Sequence, residues 1–108
     1  MCIAITREVS PAIGRCELTY RRRQPIDLER ARRQHGDYER CLADLGCAVV
    51  RLPAEPDLPD SVFVEDTAVV LDELALLTRP GAASRRAEVA PVAAALGAYR
   101  PTARLEAP

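Results

Sequence analysis

The sharpest chemical signal in the chain is a pair of neighbouring acids, Glu65 and Asp66, inside the apolar run PDSVFVEDTAVV at 59–70. If residues 62–71 form a strand, side chains alternate between its faces, so the two carboxylates point to opposite sides. At least one of them then enters an apolar layer, where a carboxylate is costly unless it is paired. Two readings follow. One is an internal ion pair with an arginine, or a strand end emerging into water. The other is a carboxylate that awaits a cationic ligand. A guanidinium is the cation best matched to it, because its planar fork of N–H donors meets both oxygens.

A second signal lies downstream in TRPGAASRR, residues 78–86, where a turn delivers Arg85 and Arg86 to a helix start. Cations are disfavoured at that end of a helix, and an anionic partner would account for them. A ligand carboxylate is one such partner; ordinary exposure is the plain alternative. Taken together, acids for a guanidinium and an arginine for a carboxylate describe a pocket for an arginine-like amino acid.

The elements that must position these residues form an α/β pattern: strand, helix, strand, strand, strand, helix, strand. Cys2–Thr6 reads as the first strand. Residues 7–25, with Pro11, Gly14 and Pro25, read as a long loop, and loops of this length in compact domains are usually functional or mobile. Asp27 is placed to cap a helix from about Leu28 to Leu45, whose apolar stripe is Leu28, Ala31, His35, Tyr38, Leu42 and Leu45, with Gly46 as its stop. Cys47–Leu52 reads as a buried strand, and the three prolines of residues 53–60 as a turn-rich connection. The strand at 62–71 reverses at Asp72-Glu73 and pairs with residues 74–78. Ser84 is expected to cap a second helix to Leu96, kinked or delayed by Pro91. A last strand is expected near residues 103–105.

At 108 residues the chain fits one domain. Its formal net charge of -1 argues against nucleic acid as a partner. All fifteen basic residues are Arg, which with the many Ala residues points to a GC-rich, bacterial coding sequence. No stretch approaches the roughly 20 apolar residues that span a membrane, and Arg7 and Glu8 interrupt any leader-like run. The expected location is therefore cytoplasmic, with Cys2, Cys16, Cys41 and Cys47 reduced. These four lack CxxC spacing and have a single His beside them in the sequence, so neither a metal site nor any organic cofactor is expected. His35 lies on the helix stripe and reads as structural.

FVED, LLTRPGAASRR and the closing RLEAP, together with CELTYRRRQPIDLERARRQHGDYERCLADLGCAVVRLP, resemble the N-terminal half of the dimethylarginine dimethylaminohydrolases, of the guanidino-group modifying (pentein) superfamily. The resemblance covers nearly the whole chain. It implies a partial α/β propeller, with about two of five ββαβ modules present, and a lid loop at about residues 10–25. It implies hydrolysis of Nω-methylated arginine to citrulline and a methylamine through a covalent cysteine intermediate.

By the same resemblance, Leu18 is the lid residue that closes over the substrate, and Asp60 meets the substrate's amino-acid end. Phe63 is an apolar wall. Glu65 and Asp66 are the pocket acids, with Asp66 in direct guanidinium contact, and Arg85 holds the substrate carboxylate. Tyr20 stands near a lid position that is often His in the family. No catalytic residue is expected within residues 1–108, because the family's histidine and cysteine lie further along. The chain is accordingly expected to be cut short and inactive alone, with a methylated arginine as ligand and open sheet edges that favour pairing with another chain. An arginine deiminase-like or amidinotransferase-like enzyme, or a short binding or assembly module, are the alternatives.

Overall fold

The computed structural model describes residues 2–106. The order of elements is the expected one, and the chain divides into two compact units, the first ending at Val62 and the second beginning at Phe63.

In the first unit, β1 (Cys2–Arg7) and β2 (Cys47–Leu52) pair in parallel, from Cys2 opposite Cys47 to Arg7 opposite Leu52. Parallel neighbours need a crossover, and α1 (Leu28–Asp44) supplies it and packs on β2. The helix begins where expected: the Asp27 carboxylate accepts from the Arg30 backbone N–H at 3.1 Å, satisfying a donor that the helix itself leaves unpaired. It stops at Gly46, whose φ of 98° is the left-handed conformation glycine adopts without strain. The expected stripe is only partly covered. Leu28, Ala31, His35 and Leu42 are half-buried, whereas Tyr38 and Leu45 are exposed.

The most buried side chain of α1 is instead an acid, Glu39. Thr6 Oγ1 donates to its Oε2 at 2.5 Å, and Arg51 donates through Nε at 3.1 Å and Nη2 at 2.6 Å. These bonds join β1, α1 and β2 at one point. Burial pushes the Glu39 carboxyl up, but the hydrogen bonds from Arg51 and Thr6, with the charge of Arg51, outweigh it and hold the group below the usual carboxylate range. A carboxyl with a lowered folded pKa stabilises the fold above its unfolded value and loses that contribution as pH falls through the folded value. Urea unfolding should therefore show stability falling below about pH 4. Glu39→Gln should flatten that acid limb; an unchanged slope would remove Glu39 as its source.

In the second unit, β3 (Ala68–Val70) pairs antiparallel with β4 (Ala75–Leu77), and the Leu71 N–H closes the turn on the Leu74 carbonyl at 2.8 Å. The chain then passes through α2 (Val89–Leu96) to β5 (Thr102–Arg104), which lies parallel to β4. Ala75 and Leu77 of β4 and Val89, Val92 and Leu96 of α2 are buried and form its core. This unit is a ββαβ arrangement in a three-stranded sheet.

Two expectations need correction. The strand expected over 62–71 is reduced to Ala68–Val70, because Val64–Asp66 turn as a 3-10 helix. The second helix begins at Val89, not Arg85, preceded by a 3-10 helix over Ala83–Glu88. Ser84 therefore does not occupy a cap position; Ala82 and Glu88 do, neither through a capping side chain. Pro91 explains the delay: in the first turn of α2 its missing N–H costs nothing, and any earlier α-helical start would place it in the interior. The abrupt end expected at Ala107-Pro108 lies outside the described residues.

Candidate functional site

The acids Glu65 and Asp66 sit side by side on the 3-10 turn, both exposed, and not on opposite faces of a strand. Their turn is fixed through its backbone. Thr67, itself fully buried, donates its hydroxyl to the Val64 carbonyl at 2.5 Å. Thr78, at the exit of β4, donates its hydroxyl to the Asp66 carbonyl at 2.6 Å and its N–H to the Thr67 carbonyl at 2.9 Å. The hairpin thus holds the acids in place while leaving their side chains at the surface.

Arg85 comes to this turn from the 3-10 helix ahead of α2. Its Nη1 donates to Asp66 Oδ2 at 2.8 Å. Its Nε and Nη2 donate to the two oxygens of Glu88 at 3.0 and 2.9 Å, a bidentate pair one helical turn along. The two acids are not equivalent partners. The Glu88 side chain is 2% exposed, that of Arg85 16%, and that of Asp66 52%. The bond to Glu88 above all, then that to Asp66, holds the Arg85 guanidinium more firmly protonated than usual, against the opposing effect of burial. The anionic partner expected for these arginines is thus supplied for Arg85 by the chain itself. Arg86 instead donates to the Pro80 carbonyl at 3.0 Å and closes its own turn.

Asp66 and Glu88 share the one arginine and Glu65 neighbours Asp66 in the chain, so this group carries a net negative formal charge, which suits a cation. Phe63, the expected apolar wall, precedes the turn and is exposed, and its carbonyl lies 3.5 Å from Arg85 Nη2. Glu88 was missed in the sequence. Its spacing of three from Arg85 was the available signal, since helical residues three apart share a face.

Of the remaining expected residues, Leu18 and Asp60 lie in the first unit. Asp60 is buried, and both its oxygens accept from the Glu17 N–H, at 3.3 and 3.1 Å. It therefore anchors the long loop beside Leu18, which is exposed. Arg23 braces the same loop by donating to the Gly14 and Cys16 carbonyls, at 2.5 and 2.7 Å. His35 has no part in the acid–arginine cluster. Its Nε2 is buried without a hydrogen-bond partner among the described residues, and its ring lies 6.0 Å from that of Tyr38. Among the described residues there is no cluster of three or more His, Cys, Asp or Glu side chains that could hold a metal ion, and no helix is long and apolar enough to cross a membrane.

No protein-family model matches the chain. Individual relatives do. The chain is 42% identical over 89 residues to the N(G),N(G)-dimethylarginine dimethylaminohydrolase of Streptomyces coelicolor, covering 82% of this chain and 34% of that protein. It is 38% identical over 84 residues to the Pseudomonas aeruginosa protein of the same name, covering 76% and 33%. The chain therefore spans about a third of the length of these relatives.

The fold agrees. A cysteine-to-serine variant of the P. aeruginosa enzyme, solved with citrulline, superposes with a TM-score of 0.90 at 32% identity, over 100% of this chain and 44% of that one. The N-terminal domain of a cyanobacterial arginine dihydrolase shares the fold at a TM-score of 0.74 and 17% identity, over 94% and 39%. In sequence and in fold together, the chain is a member of the dimethylarginine dimethylaminohydrolase family, within the pentein superfamily, and corresponds to an N-terminal part of those proteins.

Proposed function

We propose that the chain supplies the substrate-binding side of an enzyme that hydrolyses Nω-methylated arginine to citrulline and a methylamine, through a covalent intermediate on a cysteine outside residues 1–108. Its two units are then two modules of the family's α/β propeller. The observation that carries the reading is the unequal hold on the two acids beside Arg85. The buried bidentate bond to Glu88 fixes the arginine, whereas the half-exposed bond to Asp66 belongs to a class worth only about 0–1 kcal/mol. Asp66 is thus already oriented toward a guanidinium and can exchange that partner at little cost. A substrate guanidinium is the natural replacement, with Glu65 adding negative charge beside it.

Arg85, kept in position by Glu88, is released by the same exchange to meet the substrate carboxylate. By the family resemblance, Leu18 remains the proposed lid residue and Asp60 the proposed contact for the substrate's amino-acid end. Phe63 lines the apolar side. The chemistry requires no metal or organic cofactor, since a thiolate attacks the guanidinium carbon and water releases the product.

The test is citrulline release by the whole protein, with dimethylarginine and arginine compared as substrates. Release from dimethylarginine supports the proposal, and release from arginine alone would replace it with a deiminase. Asp66→Asn should lower kcat/KM on the order of 10- to 100-fold, the equivalent of one hydrogen bond to a charged group. Because the Asp66 bridge is half-exposed, the variant should unfold at nearly the wild-type denaturant concentration. Unchanged kinetics would take Asp66 out of the pocket.

A further inference from the structure

Two of the four cysteines meet. Cys2 opens β1, Cys47 opens β2, and the parallel register sets them directly opposite each other. Paired strands lie about 4.7–4.9 Å apart, inside the Cα separation of about 4.4–6.8 Å that a disulfide spans. Directly paired residues also project from the same face of the sheet, so the two thiols face a common space. Both cysteines are free, Cys2 exposed and Cys47 half-buried. Cys16 and Cys41 lie in the long loop and on α1, away from this register.

We propose that Cys2 and Cys47 form an oxidisable dithiol, which a peroxide converts to an intramolecular disulfide across the start of β1 and β2. The geometry also assigns an order to the two sulfurs. The hydrogen bond with Cys2, then burial, pushes the Cys47 thiol up. Cys2 is the exposed sulfur, the one a peroxide reaches first, and Cys47, half-buried and harder to ionise, follows.

In the first step the Cys2 thiolate attacks one oxygen of hydrogen peroxide. The S–O bond forms, the O–O bond breaks, and the departing hydroxide takes a proton to become water, leaving a sulfenic acid. In the second step Cys47 gives up its proton and attacks the Cys2 sulfur. The S–S bond forms, the S–O bond breaks, and hydroxide leaves as a second water. Two thiols are oxidised by two electrons and one peroxide is reduced to two waters. The product closes a loop that contains α1 and ties together the two strands of the sheet.

The experiment treats the whole native protein with a small excess of hydrogen peroxide, blocks remaining thiols with an alkylating agent, and maps the peptides by mass. The expected result is a peptide linking Cys2 to Cys47 within one chain, short of two hydrogens, with Cys16 and Cys41 alkylated. In Cys47→Ser, Cys2 should stop at the sulfenic acid and react with dimedone. In Cys2→Ser, Cys47 should remain an alkylatable thiol. The proposal is overturned if both cysteines stay alkylatable after peroxide, if the link joins two chains, or if it forms equally well in protein unfolded by guanidinium chloride.

Discussion

Arg85→Ala should destabilise the protein by about 3 kcal/mol, the low end of the cost of removing one partner from a buried ion pair. The low end applies because the Arg85 side chain retains 16% exposure. The loss does not come from Asp66, which is half-exposed and rehydrates once released. It comes from Glu88, whose side chain is 2% exposed and takes both its short hydrogen bonds from this one arginine. Without Arg85 a carboxylate is left buried and unpaired, and the group must either protonate or drag water into the unit's core. Against a typical total stability of about 5–15 kcal/mol, that is a large fraction.

Urea unfolding of Arg85→Ala should show the midpoint fall with little change in slope. The control is the double variant Arg85→Met with Glu88→Leu. Replacing both members of a buried pair by apolar groups of similar size is often neutral or stabilising, so its midpoint should return toward wild type. Arg85→Lys should fall between the two, since an ammonium keeps the charge but not the fork that meets both Glu88 oxygens. A single variant as stable as wild type would mean that Glu88 is not held by Arg85. A double variant as unstable as the single one would place the loss in packing.

The sequence made the regular elements legible wherever a local device set them. Asp27 and Gly46 bound α1 because a capping side chain and a left-handed glycine are short-range signals, fully present in the residues themselves. The reversal at Asp72-Glu73 is of the same kind. What was not legible depended on distant partners. The run at 62–71 is apolar enough for a strand, but Val64–Asp66 turn because Thr78, twelve residues beyond Asp66, captures the Asp66 carbonyl. The resemblance places Asp60 at the substrate's amino-acid end, and no local signal shows that its buried carboxylate also holds the Glu17 N–H across 43 residues of chain. Glu39 sits on the apolar flank of α1 only because Thr6 and Arg51 arrive from two strands to satisfy it. The types of the site residues could be read from the sequence, then, but not which acid pairs with Arg85 tightly and which loosely. That difference is one of burial.

The 108-residue chain, purified alone, should release no citrulline from dimethylarginine. The proposed reaction needs a thiolate at the guanidinium carbon and a proton donor for the leaving amine. From Phe63 onward, the unit that carries Glu65, Asp66 and Arg85, there is neither a cysteine nor a histidine. The four cysteines belong to the first unit. Cys2 and Cys47 stand opposite each other at strand starts, Cys41 lies on α1 and Cys16 in the long loop. The single histidine, His35, is on α1 as well. Binding groups without a nucleophile cannot form the covalent intermediate, and losing a nucleophile costs on the order of 10⁶-fold in kcat in a well-studied protease. A loss of that size puts turnover below detection in a colorimetric citrulline assay. The whole protein, assayed beside it at the same concentration, should be active. Measurable turnover by the 108-residue chain, persisting when Cys2, Cys16, Cys41 and Cys47 are all changed to Ser, would defeat the proposed covalent mechanism. Turnover that disappeared with one of those substitutions would instead place the nucleophile within this chain.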